Sequence, residues 1–185
     1  MNQPDHTFMG VRTYSTSELR WIEYFMSLAD AVSNKSKDTS TKVGAVIVGT
    51  DNQVVSTGFN GFPRGVQDAE TFTPGENARF VRPDKYLYTA HAEANAVFQA
   101  ARHGIRLQGC RIYVSSLPPC NECAKAIIQS GLTGVYCYPP DTKAPNYATW
   151  EHSYLVARTM LREAKVRLYY VCYMTNGSIE VEQVD

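Results

Sequence analysis

Two short segments constrain this chain more than anything else in it. Residues 91–98 read HAEANAVF, and 29 positions after His91 stands Cys120 of PPCNEC, paired with Cys123 across two residues. HAEANAVFQAARHG is rich in Ala and closes on Gly104, so it predicts a helix opening near His91 with a glycine cap. CNECAKAIIQSG predicts a second helix, opened by the cysteine pair and stopped by Gly131. A strand-like run precedes each: QVVSTGF (53–59) the first, CRIYVSS (110–116) the second. The fold must therefore hold strand–loop–helix units with ligand-type side chains at the helix starts. Adjacent parallel strands would bring both starts to one sheet edge, where α/β proteins build their sites.

The remaining segments extend this frame. SELRWIEYFMSLADAVS spaces Leu19, Ile22, Phe25 or Met26, and Leu28/Ala29 as a helix does, with Ser17 and Glu18 at its start. NKSKDTSTK is a polar loop. VGAVIVGT (43–50) reads as a buried strand that turns at TDN into QVVSTGF. TGVYCY is a strand, YATWEHSYLVARTMLREA a long helix, and KVRLYYVCYM a final strand. The order α-β-β-α-β-α-β-α-β predicts a mixed five-stranded sheet flanked by helices. Residues 1–14 read as an N-terminal arm and 15–185 as a single domain, long enough for its own core. Residues 60–90 form a loop without a persistent period, long enough to be functional. Its aromatics (Phe62, Phe72, Phe80, Tyr86, Tyr88) predict a packed loop.

Charge and cysteine usage narrow the function. Acidic and basic residues balance at 18 each, so no strong basic field exists for a nucleic-acid backbone, which weighs against such a partner. No apolar run approaches a membrane span, and MNQPDHTFMG lacks the charged and apolar regions of a signal peptide. Five cysteines, an odd number, read as reduced thiols of a cytoplasmic protein.

A CxxC pair at a helix start suits either a redox dithiol or half of a zinc site. The thioredoxin-like redox arrangement expects the pair after the first strand of its unit and without a histidine motif. A lone His91 would be a solvent-facing residue. Taken together, one imidazole and two thiolates supply three zinc ligands and leave a fourth position open, as catalytic zinc sites do. Glu93 is then not needed as a ligand. An isolated Glu there would only favour the helix dipole, by about 0.3–1 kcal/mol. Beside a zinc-activated water, whose pKa falls towards roughly 7, it can carry the proton. H-x-E…P-C-x-x-C is the pattern of zinc-dependent nucleobase deaminases. His91-Ala92-Glu93 and Pro119-Cys120-Asn121-Glu122-Cys123 satisfy it in full.

From about Lys37 onward the chain resembles the deoxycytidylate (dCMP) deaminases, through STKVGAVIV, STGFNGFPRG, YLYTAHAEANAV, YVSSLPPCNECAKAIIQSG and VYCY. The thirty-residue segment before the histidine helix separates it from tRNA adenosine deaminases, which use a short loop there. The His ligand and the GFNG turn separate it from free cytidine deaminases. The resemblance implies a three-layer α/β/α cytidine-deaminase-like fold and zinc-dependent hydrolysis of dCMP to dUMP and ammonia, supplying dUMP for dTTP synthesis. It further implies a hexamer activated by dCTP and inhibited by dTTP with Mg2+. Carried over, His91, Cys120 and Cys123 bind zinc, Glu93 shuttles protons, and Ala92 with Ser115 and Ser116 meets the base. Asn60 contacts the sugar, and Thr41 and Lys42 meet the 5′-phosphate. The plainer alternatives are an αL turn residue for Asn60 and a solvated loop lysine for Lys42. Tyr88 and Tyr138 are offered either to the pyrimidine or to the core. The allosteric nucleotide falls to the Gly58–Asp68 loop, including Gly61, and to Arg102. Residues 59–90 lack His and Cys, so one zinc per chain is expected. A deaminase of dCTP or CMP, a non-catalytic zinc-stabilised binding module, and a CxxC redox protein are the rival readings.

Overall fold

In the computed structural model, which describes residues 14–67, 79, 82–144 and 147–184, Ser15 opens the first helix, α1 (Thr16–Ser33). Its hydroxyl accepts from the Glu18 N–H while the Glu18 carboxylate accepts from the Ser15 N–H at 2.9 Å. This reciprocal capping box satisfies two otherwise unpaired donors and sets the start two residues before the predicted Ser17. There follow β1 (Gly44–Val48), β2 (Val54–Phe59), the one-turn α2 (Lys85–Tyr88), α3 (Ala92–Arg102), β3 (Arg111–Val114), α4 (Asn121–Gln129), β4 (Gly134–Cys137), α5 (Tyr147–Glu163), β5 (Arg167–Tyr173) and β6 (Ile179–Val184).

The sheet runs β2-β1-β3-β4-β5-β6, with β3, β4 and β5 parallel and the other neighbours antiparallel. Six strands replace the predicted five. The extra strand, β6, pairs with β5 through a turn at Asn176-Gly177, where Gly177 has φ +82° and the Met174 N–H donates to Ser178 O at 2.8 Å. Asn-Gly is a strong hairpin signal, and IEVEQV alternates behind it; the prediction stopped at Met174. A second correction concerns the site-bearing strands. β2 and β3 are not adjacent, because the β1–β2 hairpin leaves β2 outermost and places β1 between them. Both still run antiparallel to β1 and hence parallel to each other, so α3 and α4 start at the same sheet end.

Strand periodicity divides the core between two faces. Ala45, Ile47, Ile112, Val114, Val135, Cys137 and Leu168 meet α3, α4 and α5 on one face. Val46, Val48, Tyr113, Tyr136, Tyr169 and Val171 meet α1 on the other. The result is a three-layer α/β/α architecture. Tyr113, Tyr136 and Tyr169 stack face to face across β3, β4 and β5, with centroids 4.6 and 4.5 Å apart. Among the described residues no helix is long and apolar enough to cross a membrane.

The helix that carries His91 lies directly on β2. A Cβ on Gly58 would come within 2.4 Å of Ala92 O and 2.3 Å of Ala96 N, and the Ser56 hydroxyl donates to Ala96 O at 2.7 Å. Gly58→Ala is therefore expected to push α3 off the sheet at a cost of about 1–3 kcal/mol or more. Denaturant unfolding measures this, and unchanged stability would contradict so close an approach. The long segment between β2 and α3 closes at its neck, where Gly61 and Ala90 exchange backbone hydrogen bonds of 3.1 and 2.9 Å. Beyond the neck Phe62 and Tyr88 pack at 5.6 Å. Asp68, Phe72, Phe80 and arm residues 1–13 lie outside the described residues.

Candidate active site

His91 and Cys120 are both helix N-caps, extended residues (ψ 157° and 169°) at the junction of loop and helix. The Pro118–Pro119 pair, directly before Cys120, holds Leu117 and Pro118 out of the helical region and so keeps α4 from starting earlier. Cys120 Sγ accepts from the Cys123 N–H at 3.5 Å. The His91 side chain makes no capping bond, so the imidazole is available to the site. Asn95, one turn into α3, ties the helix start to the strand end by donating to Phe59 O at 2.8 Å.

These junctions place His91 Nδ1 3.4 Å from both Cys120 Sγ and Cys123 Sγ, and all three ligand atoms lie within 4.8 Å of one another. Tetrahedral zinc with ordinary Zn–N and Zn–S bonds separates N and S donors by roughly 3.6 Å. The cluster therefore has the size and the borderline-to-soft donors that zinc requires. Cys123 is 2% exposed and Glu93, in the first turn of α3, 6%.

Without a cation the three donors share protons. Hydrogen bonding from the Cys123 thiol and, against burial, from His91 brings Cys120 down to about 4. The Cys120 contact, opposed by burial and aided by the Glu93 charge, lifts His91 to about 9. Cys123 holds its proton well above the ordinary thiol range because Cys120 accepts it and because the sulfur is buried beside Glu93. Burial also raises the Glu93 carboxyl, against the pull of His91. A thiolate–imidazolium pair with a thiol behind it is a site that gives up protons when a divalent cation enters.

The cluster opens into a pocket of about 170 Å³; a cavity of about 150 Å³ accepts a benzene ring. His91, Ala92, Glu93 and Cys120 form its floor, with Ser116, Leu117 and Pro118 alongside. Asp38, Thr41, Val43 and Asn60 form one side and Arg82, Lys85, Tyr86 and Thr89 another; α5 contributes Trp150 and Tyr154. Lys85 is 6% exposed and donates to Asp38 Oδ2 at 2.9 Å and to the Ser40 hydroxyl. Burial alone would raise the Asp38 carboxyl, but the Lys85 ammonium and the Ser40 and Thr41 N–H groups outweigh it and hold it below the usual range.

A family model described as the cytidine and deoxycytidylate deaminase zinc-binding region matches residues 19–139. The chain belongs to this family. An uncharacterized deaminase of Aliivibrio fischeri is 39% identical over 152 residues, covering 82% of this chain and 94% of its own. A deoxycytidylate deaminase of Mus musculus is 44% identical over 117 residues, covering 63% of this chain and 64% of its own, so the match spans less than two thirds of the mouse protein. The dCMP deaminase of cyanophage S-TIM5, solved with dCMP and dUMP, shares the fold at a TM-score of 0.57 and 22% identity, over 84% of this chain and 98% of that one.

Within this cytidine and deoxycytidylate deaminase framework the predicted residues separate. Asn60, Thr41, Ala92 and Ser116 line the pocket. Asn60 is not an αL residue; its amide accepts from the Val43 N–H and donates to Thr41 O, both at 2.8 Å, and so shapes the 41–43 wall. Ser115 does not line the pocket; its hydroxyl accepts from the Gly44 N–H at 2.9 Å. Lys42 is exposed and outside the lining. Gly61 lines a second hollow, formed by residues 59–66 with Lys37, Asp38, Thr39, Lys85 and Thr89, whereas Gly58 packs on α3 and Arg102 is exposed at the far end of α3. Tyr138 donates to Asp30 on the α1 face and Tyr88 packs on Phe62, so neither reaches the pocket. Sequence reasoning missed Asp38, Arg82, Lys85, Tyr86, Trp150 and Tyr154. Only the i, i+4 spacing of Trp150 and Tyr154 on a helical stretch hinted at a shared face.

Proposed function

We propose that the chain hydrolyses dCMP to dUMP and ammonia. The observation that carries this reading is the buried Glu93 carboxyl beside a three-donor His/Cys/Cys cluster, of which His91 and Cys120 reach the floor of a ring-sized pocket and Cys123 lies behind them. The names of its relatives and the dCMP- and dUMP-bound structure of the cyanophage protein support the choice of nucleotide.

His91, Cys120 and Cys123 would hold zinc, which when bound supplies the Lewis acidity that lets water act as a nucleophile near neutral pH. Glu93 takes a proton from that water as it attacks C4 of the cytosine and delivers protons to the ring and then to the departing amine, so that ammonia leaves and a carbonyl forms. Its burial excludes bulk water as a competing proton carrier. Ala92, at the first helical position, offers an N–H that the helix itself leaves unpaired, suited to the base carbonyl. Ser116 O accepts from the Tyr138 N–H at 2.9 Å and keeps a lone pair for the exocyclic amine. Asn60 meets the sugar. For the 5′-phosphate, Thr41 stands within the pocket lining and Lys42 outside it.

The proposal extends to regulation and assembly. dCTP with Mg2+ activates and dTTP inhibits, bound at the hollow along residues 59–66, which shares Asp38, Asn60, Lys85 and Thr89 with the active pocket. The chain acts as a hexamer, in a cytoplasm whose reducing conditions suit its five free cysteines. Ammonia release from dCMP, dCTP, CMP and deoxycytidine, each with and without Mg-dCTP and dTTP, tests these statements. dCMP is expected to turn over fastest, faster with dCTP and slower with dTTP. Failure to deaminate any of the four overturns the reading.

A further inference from the structure

One wall of the pocket takes no part in the chemistry above and comes from beyond the family match, which ends at residue 139. α5 begins at Tyr147. Trp150 and Tyr154, four residues apart and therefore on one helix face, both line the pocket. Trp150 meets the Tyr86 ring edge to face, with centroids 5.4 Å apart at 78°, so the aromatic surface continues across to α2. Between them Ser153 fastens α5 to the start of α4: its hydroxyl accepts from the Asn121 N–H at 3.0 Å and donates to Asn121 Oδ1 at 2.8 Å. Asn121 directly follows Cys120, so the register of this wall is set against the metal-ligand segment itself. Neither Trp150 nor Tyr154 is fully buried, and the surface they present to the pocket has no protein partner filling it.

We infer that Trp150 and Tyr154 are substrate-recognition residues, an aromatic wall on which the planar pyrimidine and its sugar pack. The catalytic groups come from the segment shared with the family, and this recognition surface comes from a helix outside it. The nucleotide's identity rests on the function proposed above; the wall's position does not. Stacking of a base on an aromatic side chain changes affinity roughly 5- to 150-fold. Because neither residue carries protons in the reaction, the loss on removal falls on KM, with kcat nearly preserved.

Two measurements test this on the zinc-loaded protein. Trp150→Ala and Tyr154→Ala are expected to raise the KM for dCMP by roughly 5- to 150-fold, with zinc content and melting temperature unchanged, and Tyr154→Phe to restore most of the loss. The chain has two tryptophans, so Trp21→Phe, a change on α1 across the sheet, leaves Trp150 as the sole indole without altering the pocket. Saturable quenching of its emission by dUMP is expected. A KM within twofold of wild type in both alanine variants overturns the inference, as does dUMP binding seen by dialysis that leaves Trp150 emission unchanged. Turnover of dCMP with normal KM in both variants would sink this inference while sparing the proposed function. Quenching by a pyrimidine nucleotide in a protein that deaminates none of the four substrates would do the reverse.

Discussion

Glu93→Gln is expected to lower kcat on dCMP by about 10²–10⁴-fold, the usual range for losing a general acid–base, while each chain keeps one zinc. The amide matches the carboxyl in volume and fits the same first-turn site of α3, so neither the helix nor the His91–Cys120–Cys123 geometry has cause to move. What it cannot do is take a proton from water and return it to the leaving amine. Glu93 is 6% exposed, and a carboxylate buried this deeply costs stability in the folded state. The variant should therefore melt at the same temperature as wild type or higher, since active-site groups are commonly held at a cost to the fold. Zinc analysis, calorimetry and steady-state kinetics on one preparation decide it. Zinc retained with kcat unchanged would rule Glu93 out as the proton carrier, and zinc retained with no turnover even in wild type would return the chain to a zinc-stabilised binding module.

The second large effect is on the metal itself. Cys123→Ser is expected to abolish stoichiometric zinc and, with it, turnover. Cys123 is 2% exposed and lies 3.4 Å from the imidazole, so a hydroxyl there leaves a hard, protonated donor where a thiolate is needed. Neither hydrophobic cluster includes Cys120 or Cys123, so the variant should remain a folded but less stable protein. If free zinc stands at 1,000 times its dissociation constant, the metal contributes about 4 kcal/mol, equivalent to roughly 8–16 °C in a chain of this size. Chelation of the wild type should give a similar drop and release on remetallation the proton that Cys123 holds. Full activity after complete metal removal, or a Cys120–Cys123 disulfide cycling in place of zinc in fresh protein, would favour the redox reading instead.

The catalytic floor was legible in the sequence because each of its members stands at a fixed offset in a local motif. His91 and Glu93 share one helix turn, Cys120 and Cys123 another, and Gly104 and Gly131 mark where those helices end with φ of +65° and +80°. α1 was read from its spacing of Ile22, Phe25, Met26 and Ala29, all buried. The pocket walls were not legible, for a physical reason. Lys85, Asp38, Trp150 and Tyr154 meet through tertiary packing of segments up to about a hundred residues apart, and no local period encodes which of many surface cations or aromatics will face inward. Tyr88 and Tyr138 show the same limit from the other side, as plausible stacking residues directed elsewhere by the strand and loop that carry them. The order β2-β1-β3 was missed because which strand of a hairpin joins the rest of a sheet is set by non-local pairing, here β1 with β3.

The Gly61–Ala90 neck has a consequence for how such a protein can change. It pins both ends of the span that holds Arg82, Lys85 and Tyr86, one residue ahead of His91. Within it, Lys85 to Asp38 and Tyr86 to Trp150 are fixed contacts. Changes of length away from those contacts are held back from the first metal ligand by the neck, because loop closure depends only weakly on length once the ends are held. The neck thus separates the wall residues of the span from the proton-transfer machinery behind them. For a designer, a substrate switch would begin between positions 62 and 89 and leave 91 to 93 alone.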